Sequence, residues 1–394
     1  MNILIITSLY QTEKKKNLPS VTQAIHTLVK YWTKENRVVC IKVFRHTLIH
    51  PMRMLNKSFI SNVLEYDDFE TRDGVEVCAL EYCMLPMQRV MGNHLVNNIS
   101  ERINRKLTKM KFVPDVIISH MPIVDGVEQY IHKIQGQCPR IAVLHRSDID
   151  FLNNEIHKQK LENHFDAILS RSKSIYNMAY QKGISNLKAG IIFSGINAEI
   201  EVPIRSWKWF QQKEIKLLYV GELIKQKAID CIIEIVDRMS TDIKVNLCII
   251  GDGSERKNLE RLVREKQLQE RVFFLGKQSR EYVYKQMAQS DIFVMISKHE
   301  TLGLVYLEAM SMGCITIGSK GEGIDGIITN GENGYLVEPF NVKELENCVK
   351  RIVNESEENL NRISMNAVKT AEYYNEADMA KEYLRLVNLN MTKN

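Results

Sequence analysis

Lys298-His299-Glu300-Thr301-Leu302-Gly303-Leu304-Val305-Tyr306-Leu307-Glu308-Ala309-Met310 is the stretch that decides how this chain is read. The residues before it, 291–297, form a short apolar run that predicts a strand, and a helix is expected to open near Gly303. Glu300 therefore falls in a strand-to-helix turn, and Glu308 lies more than one turn into the helix. Such a turn leaves backbone N–H groups unpaired, a seat for phosphate or sugar oxygens. Gly303 lets backbone approach a ligand closely. Two carboxylates reaching one cleft can grip vicinal hydroxyls through charge-assisted hydrogen bonds. Each acid also has a plainer reading, Glu300 as a helix-start charge favoured by the dipole and Glu308 as a solvated helix residue. Against the latter, Glu308 stands among Val305, Leu307, Ala309, Met310 and Met312, an apolar setting for a surface carboxylate.

Working outward, the pattern is strand then helix, repeated in both halves. Strands are predicted over 2–8, 38–43, 114–119, 140–144, 166–170 and 189–193, with a helix over 20–34. The regular pattern lapses over 197–213. It resumes with strands over 215–220, 245–250, 272–275, 291–297 and 315–318 and helices over 226–239, 254–266 and 280–288. Short strands separated by helices imply parallel sheets with crossover helices on their faces. The expected fold is α/β, two Rossmann-like doubly wound domains facing each other across a cleft, over residues 1–198 and 199–372. Open parallel sheets bind ligands at the carboxyl ends of their strands, which is where chemistry should be sought.

Composition fits this picture and excludes others. The 394 residues are 44% hydrophobic and 26% charged, a globular profile with room for two cores. No apolar run approaches the roughly 20 residues of a membrane span. The start, MNILIITSLY, reads as a first strand and not as a signal peptide. The eight cysteines show no paired spacing, which with that start suggests a reducing cytoplasm. Net charge is +5, with the positive excess in residues 1–200 and a slight negative excess beyond. There is no G-x-S-x-G, Walker loop or early G-x-G-x-x-G, and no His/Cys cluster with metal-ligand spacing. Asp148-Ile149-Asp150 offers only a superficial D-x-D, so no metal is expected.

The interval from Glu300 to Glu308 resembles the E-x7-E pattern of retaining glycosyltransferases of family 4, which have the GT-B fold. Other segments resemble that family in order. Gly221-Glu222-Leu223-Ile224-Lys225-Gln226-Lys227 is similar to its G-R-L-x-x-x-K, with Glu222 at the usual Arg. Gly251-Asp252-Gly253-Ser254-Glu255 is similar to G-x-G-P-E without the Pro. Gly276-Lys277 stands where the base is held, and His145-Arg146-Ser147-Asp148 resembles H-G-x-D. Gly321-Glu322-Gly323 and Gly331-Glu332-Asn333-Gly334 resemble its late glycine-rich loops but read equally as turns. The glycine pair many members carry after the first strand is missing from 7–20.

The resemblance implies a hexosyltransferase in cell-surface polysaccharide or glycoconjugate synthesis, with a nucleotide-sugar donor, UDP-sugar first among candidates, and no cofactor. His145, Lys227 and Glu300 would be catalytic. Gly221, Glu222, Lys227, Gly251, Gly276, Lys277, Glu300, Thr301, Leu302, Gly303, Leu304 and Glu308 would hold the donor, Glu308 at the ribose and Lys227 at the diphosphate. A late helix over 365–388 would cross back, with about 373–394 packing on the first domain. The acceptor would be a glycan, lipid-linked or protein-linked group on the basic first half. Residues 45–59 and 102–111 mix cations with apolar residues, which suits peripheral contact with anionic membrane or, equally, a solvated face. Nucleic acid is not an expected partner. Oligomeric state stays open. Two rivals share these residues: a non-catalytic glycosyltransferase-like partner subunit, kept in play by Glu222, and a sugar-nucleotide epimerase or hydrolase.

Overall fold

The computed structural model describes residues 1–10, 24–47, 69–84, 90–197, 207, 214–239 and 243–391. The chain divides into two compact units. The first holds Met1–Arg171, Ile175–Gly195 and Glu376–Asn394, the second Ser172–Ser174 and Ile196–Asn375.

The described residues of the first unit form an eight-stranded sheet in the order β3-β4-β2-β1-β5-β6-β7-β8. Its strands are β1 (Asn2–Thr7), β2 (Arg37–Thr47), β3 (Phe69–Arg72), β4 (Val75–Met84), β5 (Val116–His120), β6 (Arg140–Leu144), β7 (Ala167–Ser170) and β8 (Leu187–Ile191). All pairings are parallel except β3 with β4. That hairpin is absent from the sequence reading, although Asp73-Gly74 marks it. Both residues take positive φ (48° and 80°), as a two-residue hairpin turn demands. Helices α1 (Ala24–Val29), α2 (Asn93–Lys109), α3 (Arg146–Ile149), α4 (Glu155–His164) and α5 (Lys173–Gln181) supply the crossovers. Leu4, Ile6, Val39, Ile41, Ile117 and Ile168 from the strands are buried against Ile99, Ile103, Leu107 and Leu161 from the helices.

The second unit carries a six-stranded parallel sheet in the order β11-β10-β9-β12-β13-β14. Its elements are β9 (Glu214–Val220), α6 (Ile229–Arg238), β10 (Lys244–Ile250), α7 (Arg256–Glu265), β11 (Val272–Gly276), α8 (Arg280–Gln289), β12 (Ile292–Val294), α9 (Leu304–Ser311), β13 (Ile315–Ser319) and β14 (Tyr335–Val337), followed by α10 (Val342–Val353) and α11 (Glu357–Tyr373). The strand order reverses at β9, which lies between β10 and β12, so the crevice of a doubly wound sheet falls at their carboxyl ends.

Two helices differ from expectation for visible reasons. The one expected from 226 starts at Ile229, because Lys225–Lys227 form a 3-10 turn and Ala228 takes a left-handed conformation with φ of 50°. The late helix is two, α11 and α12 (Glu376–Met391). At the break, the Ile196 N–H donates to the Tyr374 carbonyl at 2.9 Å and Ile196 bridges Asn375. Helix α12 belongs to the first unit. There Lys30 pairs with Glu376 at 2.8 Å, and the Trp32 indole N–H donates to the Ala380 carbonyl at 2.9 Å.

Candidate functional site

In the second unit, a cavity of about 430 Å³ is lined by Val220, Gly221, Lys227, Gln278, Arg280, Val283, Met295, Glu300, Gly303, Leu304, Val305 and Glu308. It sits where the topology points, after β9 and β12. The turn that follows β12 is held from two sides. The Lys298 N–H donates to the Gln226 carbonyl at 2.8 Å, tying it to the loop that carries Lys227. The Glu300 N–H donates to the buried Glu322 carboxylate at 2.9 Å, and the Gly323 N–H donates to the Glu300 carbonyl at 3.2 Å. A Cβ on Gly323 would stand 2.3 Å from the Thr301 carbonyl oxygen, so the glycine permits this loop-on-loop packing.

Glu300 and Lys227 form an ion pair across the cavity, each about one-fifth exposed or less. Ala228 and His299, the neighbours of this pair, both hold positive φ (50° and 66°), uncommon for residues other than glycine. Glu308 is largely buried and bonds Arg280 Nη2 at 2.7 Å. Burial pushes the Glu308 carboxyl above its ordinary range, while Arg280 and the Tyr284 hydroxyl act the other way. The cavity thus holds two carboxylates, each matched by a cation. Beneath them the buried Tyr306 donates its hydroxyl to the Met295 carbonyl at 2.6 Å and fixes α9 against the strand.

Of the sequence-derived donor residues, Gly221, Lys227, Glu300, Gly303, Leu304 and Glu308 line the cavity. Glu222 and Lys277 are exposed and lie outside the lining, as do Thr301 and the buried Leu302. Gly251 and Gly276 join strand ends instead: the Gly221 N–H donates to the Ile250 carbonyl at 3.0 Å and the Gly251 N–H to the Gly276 carbonyl at 2.8 Å. Arg280, Gln278, Val283 and Met295 were not singled out by sequence, because no local motif marks them. The only available signal was their position shortly after β11 and β12.

His145 belongs to the first unit, directly after β6, where its Nε2 meets His120 Nδ1 at 3.1 Å. Burial, with the nearby Arg171 charge, drives the His145 imidazole well below its ordinary range, so it is neutral at physiological pH. Its backbone N–H donates to the buried Asp148 carboxylate at 2.9 Å. Asp148 also accepts from the Ile123 and Val124 N–H groups, both at 3.1 Å, so this acid of the superficial D-x-D is a backbone clamp. Among the described residues no group of His, Cys, Asp and Glu could hold a metal, and seven of the eight cysteines, all but Cys83, are seen to form no disulfide. No helix among them is long and apolar enough to cross a membrane. Of the two basic stretches, 48–59 lies outside the described residues. On α2, Arg102 donates to the Glu81 carbonyl at 2.9 Å and Lys106 is buried, while Arg105 and Lys109 are exposed.

Residues 204–370 match the family model described as glycosyl transferases group 1. Over that segment the chain is similar to the group 1 glycosyltransferases. It is 26% identical over 235 residues to an N-acetyl-alpha-D-glucosaminyl L-malate synthase from Bacillus anthracis, covering 57% of this chain and 61% of that one. Its fold matches the sucrose-phosphate synthase of Thermosynechococcus elongatus at a TM-score of 0.70, with 17% identity and 98% of each chain covered. It also matches HepE of Anabaena, solved in complex with UDP and glucose, at a TM-score of 0.65, with 15% identity over 99% of this chain and all of that one. These likenesses show the GT-B fold, with its two parallel-sheet domains.

Proposed function

We propose that this chain is a glycosyltransferase that moves a hexose-type sugar from a nucleotide diphosphate sugar, UDP-sugar first, to a hydroxyl of a glycan, lipid-linked or protein-linked acceptor in cell-surface polysaccharide or glycoconjugate synthesis. The observation that carries the proposal is the cavity at the ends of β9 and β12, where Glu300 with Lys227 and Glu308 with Arg280 line one space. On this reading Glu308 accepts from the ribose hydroxyls and Glu300 from hydroxyls of the sugar. Lys227 turns from Glu300 to the diphosphate, where negative charge grows as the glycosidic bond breaks. The acceptor oxygen bonds to the anomeric carbon on the face the diphosphate leaves, giving retention. The acceptor's proton passes to the departing diphosphate. Lys227 and Arg280 supply the positive charge this needs, so the reaction is read as metal-independent. The chain spans 61% of its first relative's length, and that relative's name, with the HepE complex, supports a sugar-nucleotide donor without fixing it.

Glu222, the feature that favoured a non-catalytic subunit, is exposed and outside the cavity lining, which supports the catalytic reading over that one. The test is thermal stabilisation of the protein by UDP, GDP, ADP and their sugar conjugates, with Glu308→Ala alongside. A ligand that binds the native state raises its stability by mass action. One nucleotide series should shift the wild type and leave the variant unmoved; no shift with any series would return the partner-subunit reading.

A further inference from the structure

In the first unit, the carboxyl ends of four neighbouring strands gather a charge that nothing answers. Arg171, directly after β7, is only 3% exposed. Its Nη2 donates to the Ser194 hydroxyl, but Nε and Nη1 are buried without a hydrogen-bond partner. No carboxylate among the described residues pairs with it. Its neighbours are His120 at the end of β5, His145 after β6 and Tyr383 of α12. His120 Nε2 meets the Tyr383 hydroxyl at 2.9 Å, while its Nδ1 meets His145. Burial and the guanidinium hold both imidazoles well below their ordinary range, so neither contributes an anion or a second cation. Burial also brings Arg171 itself down to about 10, still fully charged at neutral pH.

A buried guanidinium whose Nε and Nη1 leave three N–H groups unanswered is costly, and proteins ordinarily pair such a group or omit it. Arginine presents its donors as a planar fork that fits two oxygens of one oxyanion. The position, at the carboxyl ends of a parallel sheet, is where such sheets bind ligands.

We propose that Arg171 is the charged floor of an oxyanion subsite in the first unit, which takes a phosphate or carboxylate group of the acceptor. Ser194 orients the guanidinium from one side. The neutral His120–His145–Tyr383 chain leaves the arginine charge uncancelled, and the part-exposed His145 is the member of the cluster nearest solvent. Assigning the oxyanion to the acceptor rests on the glycosyl transfer proposed above; the subsite itself does not.

The test uses the whole protein with inorganic phosphate and with malonate as probes, against chloride at equal ionic strength. Wild type should show a concentration-dependent rise in Tm of roughly 2–4 °C with at least one probe. Arg171→Met should lose that response while melting no lower without anion, since it removes an uncompensated buried charge. Arg171→Lys should respond with affinity about tenfold weaker, having charge without the fork. A response to phosphate alone names a phosphorylated acceptor; one to malonate alone names a carboxylate. A wild type indifferent to both probes, or variants that respond as it does, would overturn the subsite. The nucleotide shift and its loss in Glu308→Ala are read separately, so either idea can fail without the other.

Discussion

Asp125 is buried at the end of the turn after β5, and its carboxylate accepts the Ser8 N–H at 2.7 Å, just past the end of β1. Burial, with Asp148 and Glu128 nearby, raises its pKa from 3.8 to about 8, and Asp148 is raised to about 7 for the same chief reason. Because the folded pKa exceeds the unfolded one, the native state holds the extra proton across the interval between them. Stability therefore falls as pH rises through that interval. Between pH 7 and 9 the slope should belong mainly to Asp125. Asp125→Asn keeps an acceptor for Ser8 and cannot ionise, so its Tm should decline less than wild type over that range. An unchanged slope in thermal melts would refute the assignment. At this scale the sequence was informative where chemistry is local. Glu300, Gly303 and Glu308 lie within nine residues, and their spacing alone places them on one turn and one helix. Arg280 reaches Glu308 from another crossover, and Arg171 follows its strand with no motif at all. Contacts of that kind exist only once the sheet has brought distant segments together.

Among the elements, the loop after β9 and the loop after β10 pack so closely that side chains are excluded. A Cβ on Gly251, whose φ is 138°, would stand 1.8 Å from the Gly221 carbonyl oxygen; one on Gly253 would stand 2.4 Å from that of Leu223. The G-x-G spacing is thus explained by backbone meeting backbone, one layer behind the cavity. Gly251→Ala should cost on the order of 2 kcal/mol or more and weaken nucleotide binding with it. Gly92→Ala meets nothing within 4 Å and should cost no more than about 1 kcal/mol, the loss of a good helix cap. Comparing the two variants by denaturant melts checks this; equal costs would mean the close approach is not what selects glycine. Apolar strands were readable from their runs, because burial on both faces leaves an unbroken apolar string. Helix limits were less so. Ala228 and Tyr374 end helical stretches through left-handed backbone and a carbonyl taken by Ile196, and neither residue announces that role.

For the molecule as a whole, α12 is part of the first unit although it comes last in the chain. Its anchors are the Lys30–Glu376 pair, the Trp32 indole bond to Ala380 and the Tyr383 bond to His120. Tyr383 and Ala380 are buried, so removing the helix exposes apolar surface in the first unit alone. A chain stopped at Asn375 should lose thermal stability in that unit, while the second keeps whatever nucleotide affinity the full protein shows. Two separated melting transitions in calorimetry, only the nucleotide-independent one lowered, are the expected result. A uniform loss of both would show that α12 supports the whole chain.

The chain leaves the first unit at Gly195 and re-enters it at Glu376, with Ile196 bridged to Asn375 at the joint. During synthesis, then, the first unit cannot close until the entire second unit has emerged from the ribosome. At about 5–20 residues per second that wait is on the order of tens of seconds. The later-made unit has all but three of its residues in one unbroken run and can finish first. The earlier-made one must stay unfinished, with the pocket for Trp32 and Tyr383 open, which makes it the natural client of chaperones in the cell.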